Sequence, residues 1–260
     1  MSNLDPSKST GPDGISARML KATTVSIAPS ITKLFNMSLA SGTFPDSWKL
    51  ARIVPIPKLT NPSSPTNYRP ISILSIVSKL LERHVHHLIF QHLRISYPIS
   101  EKQWSFLPGR SASSALLSVT HNWFNQLENG NEVCSIFFDL KKAFDSVPHS
   151  LPLLRLAEIS LDPFIIQWVC SYLTNRSQLV VVGGEQPSVL PVISGVPQGS
   201  VLGPPLFLIF INEVVHQVSP GSTMSLFADD MALHRPIHST SDYYCLQCDI
   251  SAIVLSLIHI

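Results

Sequence analysis

Two adjacent carboxylates, Asp229 and Asp230, lie between apolar stretches whose alternation predicts the tip of a β-hairpin. An isolated Asp pair is usually a solvated turn, because carboxylates normally remain in water. A third carboxylate, Asp139, lies 90 residues before Asp229, at the end of a short apolar run, and Leu140 follows it at the start of a predicted helix. Strands that each end in Asp can combine their carboxylates into oxygen ligands for a divalent metal ion. At this separation only the tertiary fold can unite them.

The composition is that of a globular protein, since 45% of the residues are hydrophobic and 13% are charged. No apolar run approaches the roughly 18 residues that a membrane helix needs. The N-terminus has no basic region followed by an apolar one, so we expect no secretion signal. These features predict an intracellular protein of the nucleus or cytoplasm that has no membrane partner.

The charges are divided unevenly along the chain. Residues 1–130 hold 13 Lys and Arg against six Asp and Glu, whereas residues 131–260 hold five against 11. The two halves therefore have formal charges of +7 and −6, which give the net charge of +1. A basic half beside an acidic half favours phosphate binding next to metal binding, although an uneven surface charge without any partner would give the same count.

The cysteines allow a second metal hypothesis. Four cysteines in 260 residues are too few for a disulfide framework. Cys245 and Cys248 form a C-x-x-C pair, and His234 and His238 precede them closely, so these side chains are of the right type for zinc. The same spacings arise on ordinary helix faces, and we consider that interpretation the more common one.

The hydrophobic pattern predicts alternating helices and strands. A strand over residues 48–58 contains two prolines, which favour an edge position. A helix over residues 76–92 includes Lys79 and Arg83, and its basic face suits either a nucleic-acid backbone or plain solvent. The other predicted elements are a strand at 68–73, helices at 113–127, 151–158 and 163–173, a hairpin over 180–192 and a buried helix at 206–215.

Seven strings in a fixed order resemble the reverse transcriptase domain of non-LTR (LINE-type) retrotransposons. They are GPDGI from Gly11, FPDSWKLARIVPIPK from Phe44, NYRPISIL from Asn67, FLPGRS from Phe106, FFDLKKAFDSVPH from Phe137, SGVPQGSVLGPPLF from Ser194 and LFADD from Leu226. Because the strings cover nearly the whole chain in the family's order, the resemblance is specific.

The resemblance implies an α+β fold with the fingers and palm of a right-hand polymerase. Residues 1–131 would form the fingers with an N-terminal extension, and residues 132–260 the palm, an antiparallel sheet packed on helices. The family's next palm motif, primer grip and thumb do not follow the hairpin before Ile260. The expected domain is therefore truncated before the thumb.

The resemblance also implies an RNA-directed DNA polymerase that adds dNTPs to a primer 3′-OH. Asp139 and Asp229 would hold two Mg²⁺ ions about 4 Å apart, with Mn²⁺ as a substitute and the carbonyl of Leu140 as a further ligand. Asp230 would support the site as the second acid of the hairpin. The expected partners are an RNA template, a DNA primer and dNTPs, without an obligate protein partner.

Five further residues match positions that contact the nucleotide or template in the family. Lys58 and Arg69 would grip the triphosphate, a task that suits ammonium and guanidinium groups. Phe144 matches the aromatic residue that blocks a 2′-OH and so selects deoxynucleotides. Gln198 and Gly199 would contact the incoming nucleotide and the template. Exposed salt bridges and helix packing are the structural alternatives for the two cations and for Phe144.

Two other functions fit parts of this pattern. A catalytically inactive remnant of such an element would bind nucleic acid without polymerising it. A maturase-like RNA-binding protein would also share the motifs, but it would need a basic C-terminal domain that this sequence does not contain. The first alternative predicts RNA binding that survives the loss of Asp229.

Overall fold

A computed structural model describes residues 1–181 and 188–259 of the chain. Its helices are α1 (Ala17–Ala22), α2 (Thr24–Ala40), α3 (Ile76–Ser96), α4 (Ala112–Glu128), α5 (Ala143–Ser146), α6 (Ser150–Glu158), α7 (Pro163–Leu173), α8 (Gly203–Ile211) and α9 (Thr240–His259). Its strands are β1 (Leu50–Pro57), β2 (Tyr68–Ile73), β3 (Glu132–Asp139), β4 (Arg176–Val180), β5 (Leu190–Val192), β6 (Thr223–Phe227) and β7 (Asp230–Ile237).

The chain forms two compact units, each built from two segments. The first unit comprises Met1–Tyr97 and Phe144–Leu206 and contains a four-stranded sheet in the order β2-β1-β4-β5. The β1–β2 and β4–β5 pairs are antiparallel, whereas β1 and β4 are parallel. The antiparallel β4–β5 pair agrees with the predicted hairpin, although its residues 182–187 lie outside the described part of the chain.

The predicted edge position of β1 is wrong for the first half of the strand. Over residues 50–53, β1 pairs with β4 on one side, and from Arg52 onward it pairs with β2 on the other. Its pairing with β4 ends before Pro55 and Pro57. A proline has no N–H to donate to a neighbouring strand. The two prolines therefore predicted a free edge correctly only for the stretch that contains them.

An aromatic cluster forms the centre of the first unit. Phe44 is fully buried, and its ring meets those of Trp48, Trp168 and Tyr172 edge-on at centroid distances of 5.8, 5.3 and 5.1 Å. The indole N–H of Trp168 donates to the Ser38 hydroxyl at 2.9 Å, so the polar atom of this buried ring is satisfied. This cluster packs α2 and α7 against each other.

The second unit, Pro98–Ala143 with Phe207–Ile260, contains an antiparallel sheet in the order β3-β7-β6. Helix α4 packs on β3 and β6, and α9 packs on β7. The apolar residues Met224, Leu226, Met231 and Leu233 of the hairpin strands are buried, as their alternation in the sequence predicted. Ser225 and His234, which lie beside them on the same strands, are buried as well, so burial itself does not alternate strictly. The predicted α+β class with an antiparallel sheet packed on helices is confirmed.

Helices α5 and α8 each begin three residues away from the predicted start. Helix α8 begins at Gly203 rather than near Leu206, because Pro204 and Pro205 lie in its first turn, where no N–H is required. The helix after Asp139 is a single turn, α5, that begins at Ala143 instead of Leu140. No helix in the described part of the chain combines the length and apolarity needed to cross a bilayer.

Candidate active site

Strand pairing in the second unit places two predicted catalytic carboxylates opposite each other. Strands β3 and β7 are antiparallel in a register that pairs Asp139 with Asp230. Directly opposed residues of such a pair have Cα atoms about 5 Å apart and project to the same face of the sheet. Both residues are exposed, and Leu140, the predicted carbonyl ligand, directly follows Asp139 and is half-buried.

Asp229 lies in the two-residue turn between β6 and β7. Its neighbour in the turn, Ala228, has a φ of +57°, a left-handed conformation that short hairpin turns require. The side-chain oxygen of Gln103 accepts a hydrogen bond from the Ala228 amide at 3.2 Å. Gln103 is 1% exposed and its oxygen also accepts from Ser105, so a buried amide holds the acidic turn in place.

The arrangement of these carboxylates fits a divalent cation. Like charges directly opposite each other on neighbouring strands are destabilising, and a cation between them removes that repulsion. No group of three or more His, Cys, Asp or Glu side chains in the described residues could hold a metal ion. Magnesium typically takes one or two protein carboxylates and completes its shell with water and substrate phosphates. Asp139 together with one acid of the hairpin could therefore supply the protein ligands of such an ion.

In the first unit, Lys58 and Arg69 lie on one hairpin. The Lys58 amide donates to the Asn67 carbonyl at 2.8 Å, directly after the paired strand β1, and Arg69 pairs with Ile56. The period of two along a strand therefore places both cations on the same face, as diagonal neighbours. Both side chains are exposed, and neither forms a salt bridge with a described residue, so the predicted alternative of an exposed salt bridge is not supported.

The Gln198 loop, residues 194–200, is held against β2. The carbonyl of Gln198 accepts from the Ser72 amide at 2.8 Å. Gly199 has a φ of +101°, and a Cβ built on it would lie 2.8 Å from the Ser72 carbonyl oxygen. Only glycine permits both this backbone conformation and so close an approach.

The same loop also contacts the segment that begins at Phe144. The Val196 amide donates to the Phe144 carbonyl at 2.8 Å, and the Gln198 side-chain nitrogen donates to the Asp145 carboxylate at 3.2 Å. His149 contacts the Gly195 carbonyl through its Nε2 at 2.8 Å. The structure therefore brings Phe144, Gln198 and Gly199 together within the first unit, whereas the three aspartates belong to the second.

Glu82 is a functional candidate that the sequence analysis missed. It is completely buried in α3, and its carboxylate accepts from the Val201 amide at 2.8 Å and from the Ser78 hydroxyl at 2.7 Å. It thereby fixes the residues that follow the Gln198 loop. Burial, with the nearby Glu82 carboxylate as the next cause, raises the pKa of Tyr172 far above its usual value. A glutamate in phase with the apolar positions Val85 and Ile89 was the available signal.

The structure does not support the zinc hypothesis. Cys245 and Cys248 are free thiols on α9, and His234 is buried on β7. Since the described residues contain no cluster able to hold a metal ion, these side chains do not form a zinc site. The helix-face explanation of the C-x-x-C spacing is the one that fits.

A comparison with protein families explains this combination of elements. Residues 56–253 match the family described as "Reverse transcriptase (RNA-dependent DNA polymerase)". This match covers more than half of the chain, and the chain therefore belongs to the reverse transcriptase family. The family predicted from the seven motif strings is confirmed.

Curated relatives of the chain come from insect mobile elements. The chain is 30% identical over 238 residues to the probable RNA-directed DNA polymerase from transposon BS of Drosophila melanogaster, covering 89% of the chain and 26% of that protein. It is 30% identical over 238 residues to the polymerase from the mobile element jockey of the same species, covering 91% and 24%. A Pol polyprotein from the type-1 retrotransposable element R1 of Bradysia coprophila is 31% identical over 226 residues, covering 86% and 22%. The chain thus spans about a quarter of the length of these relatives.

Proposed function

We propose that this chain is the RNA-directed DNA polymerase domain of a non-LTR retrotransposon. In this reaction the primer 3′-OH attacks the α-phosphate of a dNTP, a new phosphodiester bond forms, and pyrophosphate leaves with the electrons of the broken bond. The observation that supports the proposal most directly is the register that sets Asp139 opposite Asp230, with Asp229 in the adjoining turn.

Asp139 and Asp229 are the proposed ligands of two Mg²⁺ ions, with the Leu140 carbonyl beside them and Asp230 as the supporting acid. The bound ions would supply Lewis-acid stabilisation of the attacking and leaving oxygens. The contribution of the chain is to fix the carboxylates before substrate arrives. Gln103 does so at the hairpin turn through its hydrogen bond to the Ala228 amide.

The nucleotide-binding residues are proposed from their matching positions and their surroundings. Lys58 and Arg69 share a hairpin face and can bind the triphosphate oxygens as charge-assisted donors. Phe144 would exclude ribonucleotides by contact with the 2′ position. The close approach at Gly199 holds the Gln198 loop against β2, and this loop is the proposed contact for the nucleotide and the template.

We assign residues 1–131 to the fingers and residues 132–260 to the palm. The antiparallel sheet β3-β7-β6 with its acidic end corresponds to the palm of a right-hand polymerase. The nucleic-acid partners would be an RNA template and a DNA primer.

Primer extension on poly(rA)–oligo(dT) with dTTP and Mg²⁺ tests the proposal. We expect Asp139→Asn to reduce extension about a thousandfold, since a metal ligand contributes several kcal/mol to transition-state stabilisation. Glu132→Gln is the matched control, because Glu132 is an exposed carboxylate at the opposite end of the same strand. It should retain the parent rate.

Two outcomes would contradict the proposal. If the folded parent binds the primer–template duplex but never extends it, the inactive nucleic-acid-binding remnant replaces the enzyme. If the parent extends the primer and Asp139→Asn does so equally well, the assignment of the metal site is wrong. Circular dichroism of each variant would separate both outcomes from unfolding.

A further inference from the structure

A basic cavity in the first unit shares Gly199 with the site proposed above, but its cationic residues take no part in that site. Its volume is about 370 Å³, and three cationic side chains line it, namely Lys8, Lys79 and Arg83. Lys79 and Arg83 are four residues apart on α3 and therefore lie on the same face of that helix. Lys8 comes from the N-terminal segment, so the fold gathers the three charges from distant parts of the sequence.

These cations have no acidic partner among the residues that the structure describes. None of them forms a salt bridge there. The acids that influence them are already engaged: the Asp5 carboxylate accepts from Ser7, and the Glu82 carboxylate accepts from backbone amides after the Gln198 loop. The cavity therefore has a net positive charge that an anion would balance.

Lys79 is the least exposed of the three cationic residues. Burial lowers the pKa of its ammonium group, with Lys8 and Arg83 adding to the effect and Glu82 opposing it. Desolvation of the half-buried Lys79 disfavours its charged form, and the Glu82 carboxylate offsets only part of this effect. Lys8 and Arg83 are exposed residues that also line the cavity. An anion among the three cations would offset the rest of the cost at Lys79.

The residues that line the cavity indicate which kind of anion it would bind. Ile71 and Ile76 give it an apolar side, which a small, fully hydrated ion would not need. Gly199 forms another part of the wall, next to Gln198, the proposed contact for nucleotide and template. A phosphate attached to a sugar and base matches this combination of cations and apolar surface.

We propose that this cavity binds a phosphodiester group of the nucleic-acid strand that passes the Gln198 loop, with Lys79 and Arg83 as the phosphate ligands. The assignment rests on the proposed function, because the strand is identified through that loop. A free nucleotide offers the same phosphate chemistry. The test therefore has to separate the strand from the nucleotide.

The experiment measures the fluorescence anisotropy of a labelled single-stranded RNA of about 12 nucleotides, without primer, dNTP or metal. The parent is compared at several KCl concentrations with the double variant Lys79→Gln, Arg83→Gln. A double variant at exposed positions of the same unit, Lys33→Gln, Arg94→Gln, is the matched control. A charge-retaining variant, Lys79→Arg, Arg83→Lys, tests for rescue.

Losing one phosphate contact to a single strand makes the negative slope of log K against log salt shallower by about 0.7. If the variant and the parent bind equally at 1 M salt, the variant should therefore bind roughly fivefold more weakly than the parent at 0.1 M. We expect that loss in the cavity variant, parent behaviour in the control, and recovery in the charge-retaining variant. Equal slopes and affinities for the cavity variant and the control would overturn the site.

Competition separates the two sources of phosphate. Unlabelled RNA should displace the probe at concentrations where the same total phosphate, added as dTTP or inorganic phosphate, does not. Equal displacement by dTTP would overturn the assignment to a strand. Primer extension by the same preparations distinguishes the two proposals. If the cavity variant loses RNA affinity but the parent cannot extend a primer, the proposed function is refuted and the cavity is not. If the parent extends the primer normally and the cavity variant binds RNA as the parent does, the cavity is refuted and the function is not.

Discussion

Gly195 offers a quantitative test of how the Gln198 loop is built. This residue is buried with a φ of +85°, and a Cβ added to it would lie 2.6, 2.7 and 2.8 Å from the carbonyl oxygen, Cα and carbonyl carbon of Asp145. Real Cβ atoms essentially never lie within 3.0 Å of another heavy atom, so the two segments must separate by at least 0.4 Å. All three contacted atoms belong to the backbone and cannot rotate away.

The cost of Gly195→Ala has two parts. A left-handed backbone costs an L-residue about 1–2 kcal/mol. Overpacking of a closely packed contact typically adds about 1–3 kcal/mol. The separation also stretches the 2.8 Å bonds that join Gly195 to Val147 and His149. We therefore expect the free energy of unfolding to fall by about 2–5 kcal/mol.

Gly14→Ala is the matched control for this substitution. Gly14 belongs to the same unit and has a φ of +72°, but a Cβ there would have no heavy atom within 4 Å. It should lose only the backbone part, about 1–2 kcal/mol. Urea unfolding followed by circular dichroism measures both variants against the parent. Equal losses for the two substitutions would refute the close approach to Asp145.

Three other predictions concern buried or titrating groups. Glu82→Ala should lower the free energy of unfolding by about 3–5 kcal/mol in the same urea assay, since each buried donor left without an acceptor costs about 1–3 kcal/mol; a loss below 1 kcal/mol would contradict its role. The backbone amide of His238, followed by the Arg235 guanidinium, lowers the pKa of Asp242 to about 2, so its contribution to stability is present above pH 3.8 and disappears as the pH falls through about 2. Carboxyl NMR titration checks this value, and a pKa near 3.8 would refute it. Burial, with Lys102 as the second cause, lowers the pKa of His234, so the contribution of the neutral imidazole to stability is complete above pH 6.5 and is lost at more acidic pH. The melting temperature should therefore fall less between pH 7.5 and 5.5 in His234→Gln than in the parent. Equal falls in the two proteins would contradict this pKa shift.

The sequence predicted those elements whose pattern is local. The β6–β7 hairpin follows from alternating apolar residues around an Asp pair. Helix α7 was predicted with its observed boundaries, and it begins at Pro163, a residue type that suits the first helical position. Asp139 was predicted to end a strand because a short apolar run stops at this carboxylate. In each case the determining residues are within a few positions of each other along the chain.

The start of α8 and the edge of β1 were predicted less well, although their residues are also local. The helix was predicted to begin after Pro204 and Pro205, and the prolines of the strand were interpreted as a sign of an edge position. Proline is tolerated in the first turn of α8, and β1 pairs on both sides before its prolines begin. The missing N–H of a proline matters only where a nearby backbone carbonyl would have accepted its hydrogen bond. Whether such a carbonyl lies there is decided by the fold.

The amino-acid sequence by itself determined the family and the identity of the acidic residues, because both depend on ordered strings of side chains. Tertiary structure alone decided that Asp139 lies opposite Asp230, that the buried carboxylate of Glu82 fixes the end of the Gln198 loop, and that Lys8 joins Lys79 and Arg83 around one cavity. Register, burial and convergence of charge are properties of pairs of residues far apart in sequence. They arise only when hydrogen bonds and packing select one arrangement of strands and helices.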